Sequence, residues 1–197
     1  MSAARSFAAA LLATALAGCA PAPRAPVDSL HTLGTDEVVI VGRVELVPPL
    51  SKEEAKIRGG VIGDFENRML LLADDKLRPM PDEPRIADYA GRIEARIGDT
   101  FFVRSKRAPF YVIGGVLFIG VGKGMQPVHF PGGLQVDVKP GERAVYIGTL
   151  RYHRDEFFEV TRVSVVDDYR EANAEFGSRF GKQLPLRKAL MTRAKKP

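Results

Sequence analysis

The chain has 197 residues, a formal net charge of +5 at neutral pH, one cysteine and no tryptophan. A single cysteine excludes an internal disulfide framework, and no run beyond the N-terminus approaches the ~20 apolar residues of a membrane-spanning helix. The length admits one domain with a sizeable core or two small ones, and 14 prolines with 19 glycines point to many turns between short strands.

The chain opens with an export-like layout. Arg5 supplies a positive start, and residues 6–16 form an apolar run far too short to cross a bilayer. The run ends in Leu16-Ala17-Gly18-Cys19. This stretch resembles the lipobox of bacterial lipoproteins. The resemblance implies that residues 1–18 are a signal peptide cut after Gly18. It also implies that the Cys19 thiol takes a diacylglyceryl group and that the new amine is acylated, with palmitate as a typical chain. Only a thiol is nucleophilic enough at neutral pH for this step. Two or more chains anchor stably, at about 0.8 kcal/mol per buried CH2, whereas one binds reversibly. Membrane lipid held through acylated Cys19 is thus the first expected partner. The implied location is the bacterial cell envelope. Ala20 rather than Asp after Cys19 resembles outer-membrane sorting, facing the periplasm, in cells with two membranes.

Residues 19–35 read as a Pro-rich tether, because Pro21, Pro23 and Pro26 forbid a helix. Residues 38–46 read as a strand with Val38, Ile40, Val44 and Leu46 on one face and a first half buried on both sides. Ser51-Lys52-Glu53-Glu54 is a capping-box signature for a short helix over 51–58, broken by Gly59-Gly60. Residues 68–73 read as a buried strand, and 74–88, with three prolines, as a surface loop. Residues 92–97 and 100–104 alternate and predict a hairpin around Gly98-Asp99.

Residues 111–121 form the most apolar part after the signal-like segment and predict a strand pair or a bulged strand at Gly114-Gly115. Phe130-Pro131-Gly132-Gly133 predicts a turn, residues 134–138 a strand, and Lys139-Pro140-Gly141-Glu142 a β-turn. Residues 143–152 and 157–166 predict the strongest hairpin. Phe158 and Val160 share one phase and Val163 and Val165 the other, which predicts a bulge near Thr161-Arg162. Asp167-Asp168 should cap a helix over 169–180 with Tyr169, Ala172, Phe176 and Phe180 near one face. Many short strands with few helices predict a mainly β fold, an antiparallel β-sandwich or, as an alternative, an open barrel. One domain over 36–180 and a basic tail over 181–197 complete the expected organisation.

Catalytic signatures are missing. Gly120-Val121-Gly122-Lys123-Gly124 lacks the upstream glycine and the following Ser or Thr of a phosphate loop, and reads as a turn. His31, His129 and His153 have no second ligand at metal spacing, so no metal or cofactor is expected. Asp74-Asp75 and Asp167-Asp168 are adjacent pairs whose side chains diverge on a strand. No catalytic residue is assigned, and an enzyme would need a site assembled from distant residues, with 74–88 and 127–133 as the candidate loops.

Residues 178–197 carry Arg179, Lys182, Arg187, Lys188, Arg193, Lys195 and Lys196 and no acid, while the remainder is mildly acidic. This end reads either as a solvated tail or as a short helix from Pro185 that rests on anionic lipid through Arg187, Lys188, Arg193, Lys195 and Lys196. Nucleic-acid binding is not expected, because no aromatic platform accompanies the bases.

Val41-Gly42-Arg43-Val44-Glu45-Leu46, together with the segment running from Lys139-Pro140-Gly141 to Val145-Tyr146-Ile147-Gly148, resembles uncharacterised bacterial lipoproteins. That resemblance implies a β-sandwich like prealbumin or the carboxypeptidase regulatory domain, and no activity. The expected function is a lipid-anchored binding or structural module with an envelope protein as partner. The alternatives are an envelope enzyme and a membrane-surface protein acting through its tail.

Overall fold

Eleven residues of strand β1 (Glu37–Val47) explain their own composition. Val38, Ile40, Val44 and Leu46 point into one apolar cluster, and Val39 and Val41 into a second on the opposite face. A strand buried on both sides needs apolar residues at successive positions, as the first half of β1 has. The computed structural model describes residues 24–56, 66–79, 91–122, 124–182 and 184–195.

The other elements are α1 (Lys52–Ala55), β2 (Arg68–Asp74), β3 (Ile93–Arg96), β4 (Thr100–Lys106), β5 (Phe110–Val121), β6 (Gly124–Val136), β7 (Ala144–Arg154), β8 (Val160–Val166), α2 (Tyr169–Phe180), β9 (Arg187–Lys188) and β10 (Thr192–Arg193). They form two sheets. The first runs β4-β1-β7-β8, with β9 also on β7, and the second runs β10-β6-β5-β2-β3. The fold is a mainly β sandwich with few helices, as the pattern of short strands requires. Most pairings are antiparallel, but β7 runs parallel to both β1 and β9.

The main core lies between the sheets, with Ile40, Leu71, Phe110, Phe130, Val145 and Tyr152 among its members. A second layer covers the outer face of the first sheet. There α2 lays Ala172 and Phe176 against Val39, Val41, Phe102 and Tyr146. The chain from Val27 to Leu33 joins the same cluster.

Bulges let long strands keep apolar residues inside after a change of phase. In β5, Phe110 and Val112 face the main core, and so do Leu117 and Ile119. The phase flips because Ile113 is an extra residue against β2, where Leu72 pairs with Gly114 and Ala73 with Val112. The bulge expected in this strand therefore sits one residue before Gly114. The bulge expected near Thr161-Arg162 is present: His153 pairs with Arg162 and Arg154 with Val160, which leaves Thr161 unpaired.

Two local expectations fail for one reason. Alternation shows which face of a strand is buried, not which neighbour it pairs with. Residues 92–104 are not a hairpin, since β3 pairs with β2 in the second sheet and β4 with β1 in the first. Gly98, at φ +87°, turns a corner between sheets, and its N–H donates to Val44 O at 2.8 Å. Phe130-Pro131-Gly132-Gly133 is not a turn, because β6 continues through it with a bulge at which Gly132 and Gly133 together face Ile113. Gly132 is required there by close approach: a Cβ would lie 2.2 Å from the Ile113 carbonyl. The reversal falls at Gly122, where Val121 pairs with Gly124.

Tyr152 is a large, fully buried side chain whose hydroxyl has no hydrogen-bond partner among the described residues. Burial pushes its pKa far above the ordinary phenol range. The ring still packs well, edge-on to Phe130 at 5.1 Å between centroids. Tyr152→Phe keeps that contact and removes the orphaned hydroxyl, so it is expected to stabilise the fold by about 1 kcal/mol. Urea denaturation at neutral pH checks this, and a loss of stability would reveal a partner for the hydroxyl.

Candidate functional site

Gly18 and Cys19 lie outside the described residues, as do 57–65, 80–90 and Lys196. Arg24, the first described residue, is already part of the domain. Its guanidinium donates to Gly91 O at 2.8 Å, Ser105 Oγ at 2.8 Å and Ala73 O at 3.2 Å, and sits 5.4 Å from the Phe110 ring centre. These partners belong to both sheets. Burial lowers the Arg24 pKa, while Asp74 and Asp75 oppose the shift. Beyond it Pro26 bridges to Val103 and Val27 is fully buried. Residues 24–33 of the expected tether thus line one end and the outer face of the first sheet.

The basic segment also packs on the domain. Instead of a helix from Pro185, residues 184–195 make two short strands on opposite sheets. Beside β7, β9 takes the edge that β8 leaves vacant, and β10 extends the second sheet beside β6. Leu186 and Met191 are each 3% exposed, the first in the outer cluster and the second in the main core. Arg187 pairs with the Glu142 carboxylate and donates to Asp137 O. Lys188 Nζ meets Asp167 Oδ2 at 2.9 Å, which raises the lysine pKa and lowers the aspartate pKa through their hydrogen bond. Arg193 and Lys195 are exposed.

Asp167 and Asp168 do not cap α2 in the simple way that a helix N-terminus suggests. Asp168 is the N-cap but makes no side-chain cap bond; Asp167 Oδ1 instead accepts from Tyr169 N at 3.2 Å. The Asp168 N–H donates to the buried Tyr146 hydroxyl at 3.0 Å, fastening α2 to β7.

The three histidines do not converge. His31 is exposed before β1, His129 is exposed on β6, and His153 sits at the far end of β7, where its Nε2 meets the Arg162 guanidinium at 3.1 Å. Among the described residues no three His, Cys, Asp or Glu side chains are grouped to hold a metal ion. Residues 127–133, one of the two candidate catalytic loops, are strand. A cleft of about 590 Å³ lies beside α1, lined by Leu46, Leu50, Ala55 and Ile97 among others. Its one hydroxyl, Ser51, is engaged in the helix cap.

The end of the sandwich opposite Arg24 is built with more care than its sequence suggests. There α1 carries the full capping box, with Ser51 Oγ accepting from Glu54 N and the Glu54 carboxylate accepting from Ser51 N. Arg154, at the end of β7, closes on this cap. Its guanidinium meets both Glu54 oxygens at 2.8 and 3.0 Å and donates to Pro48 O and Pro49 O. The hydrogen bond from Arg154 leads the causes that lower the Glu54 pKa to about 2. On its other side α1 touches β5, and a Cβ on Gly120 would lie 2.2 Å from Lys56 O. So α1 joins the tips of two hairpins, one from each sheet.

The β7–β8 tip beside it is locked by its own backbone. Asp155 Oδ1 accepts from Phe157 N and Glu159 N, both at 2.9 Å, and Asp155 N donates to Glu159 O at 3.0 Å. Phe158 adopts φ +66° and turns its ring under Arg154, 5.4 Å from the guanidinium carbon. Phe157 turns outward and is 73% exposed. In sequence, Phe157 reads as the first residue of a strand; only the unusual φ at Phe158 sends the two adjacent rings to different surroundings.

No family model, curated protein or solved structure matches this chain, so its function rests on its own residues.

Proposed function

We propose that the protein is a lipid-anchored component of the bacterial cell envelope whose β-sandwich serves as a binding or structural module. The observation that carries this reading is Leu16-Ala17-Gly18-Cys19 at the end of an apolar run, closely followed by the half-buried Arg24. Five Cα-to-Cα steps then run from the lipid-bearing Cys19 to Arg24, the first clamped side chain among the described residues, a reach of at most about 18 Å when extended. Such a spacer keeps the domain beside the membrane surface, with the end near Arg24 toward the lipid and the α1 end away from it. A binding role is further supported by how the polar side chains are used. Arg24, Arg154, Ser51 and Asp155 hold backbone and loops in place.

Cells fed an alkyne-bearing palmitate test the reading. The full-length protein is expected to take the label and to sediment with membranes, and Cys19→Ser is expected to lose the label and to leave the membrane fraction. A labelled or still membrane-bound Cys19→Ser variant would overturn the anchor.

A further inference from the structure

We propose that the β7–β8 tip is a docking element for a protein partner, with Phe157 as the anchor that fills an apolar pocket edged by lysine or arginine. This goes beyond the anchoring role and does not depend on the lipid at Cys19.

Phe157 leaves 73% of its surface in water, well beyond the other exposed large apolar side chains among the described residues, Val47, Val121 and Met125. All four lie at the α1 end of the sandwich. Val47 ends β1 beside His153, and Val121 and Met125 flank the β5–β6 turn. One exposed aromatic is ordinary, but this one is held in place. The Asp155 carboxylate ties down the N–H groups of residues 157 and 159, and the left-handed Phe158 backbone commits the neighbouring ring to the Arg154 side. Backbone of that kind persists only where the surroundings over-determine it, and it clusters at recognition sites. A rigid aromatic loses little freedom when it enters a pocket, which is why such residues dominate binding energy at interfaces.

Charge selects the partner. Asp155, Glu156 and Glu159 flank the ring. The nearest base in sequence, Arg154, is neutralised by Glu54, and Arg162, whose guanidinium meets the His153 ring, sets one positive charge against these three acids. The tip is therefore an aromatic within an acidic rim. Anionic lipid and nucleic acid would both repel it, and a protein pocket edged by basic side chains complements it.

A photoreactive benzophenone analogue replacing Phe157 in the full-length chain, expressed in its native cells, tests the proposal. The expected result is one discrete protein adduct whose crosslinked peptide combines apolar residues with lysine or arginine. Glu156→Lys or Glu159→Lys in the same chain is expected to reduce the adduct at least about tenfold, as reversing a charge at a complementary interface does. Purified full-length Phe157→Ser is expected to keep the Tm of the parent. A lipid adduct, an adduct to a second copy of this chain, no adduct, an adduct indifferent to both charge reversals, or a Tm lowered by Phe157→Ser would each overturn the proposal.

Discussion

Met191→Ala is expected to destabilise the fold by about 3 kcal/mol, and Leu186→Ala by about as much, because each removes a large side chain from a filled core. Both residues lie in the basic C-terminal segment, which composition alone would leave in solvent. The two truncations should add, since Met191 sits between the sheets and Leu186 lies on the outer face of the first sheet, in separate clusters. Together they approach the whole stability of a small domain. The segment also donates Ala189 N to Tyr146 O and Met191 N to Ile147 O on one sheet, and Ala194 N to Gly133 O on the other. It acts as a clasp across the open side of the sandwich. Urea denaturation of the two single variants is the check; a cost below 1 kcal/mol for both would mean that the clasp contributes little.

Arg154→Met should cost about 2–3 kcal/mol and should also flatten the acid limb of the stability profile. The Arg154 side chain is 6% exposed, and its loss leaves two proline carbonyls without this donor and the Glu54 carboxylate with only the Ser51 N–H. The sign of the pH effect follows from the direction of the shift. Glu54 titrates near 2 in the folded protein and near 4.3 in the unfolded chain. A lowered carboxyl pKa favours folding above the unfolded value and loses that contribution as the pH falls toward 2. In Arg154→Met the Glu54 carboxyl returns toward its ordinary pKa, so the loss of stability between pH 4.5 and pH 2 becomes smaller. NMR titration of the Glu54 carboxyl carbon, with urea midpoints at both ends of that window, reads the two effects separately. A Glu54 that still titrates near 2 in the variant would place the cause in the helix cap instead.

Local structure was legible wherever one face of an element decides its sequence. The two-sided burial of β1, the bulge at Thr161 and all twelve residues of α2 follow from the spacing of apolar side chains. The capping box of α1 follows from Ser51 and Glu54 alone. Pairing was not legible. The segments around Gly98 alternate as a hairpin would, yet they serve different sheets, because the partner of a strand is chosen by packing far along the chain. Gly132-Gly133 has turn composition, yet the Ile113 backbone lying against Gly132 and the φ of +71° at Gly133 explain the two glycines.

The same division runs through the functional reading. The export-like run, the lone Cys19 at its end and the separation of basic and acidic regions are properties of residue order and composition, so the sequence by itself determined them. Tertiary structure decided how those charges are used. Arg187 and Lys188 look free in sequence, but the strand beside β7 sets them against Glu142 and Asp167. Phe157 looks like a strand residue, but the Asp155 lock and the left-handed Phe158 turn it to solvent. The physical reason is range. Apolar periodicity acts between residues a few positions apart and is written locally, whereas ion pairs, sheet neighbours and exposure depend on groups as far apart as Asp28 and Arg179, 151 positions along the chain.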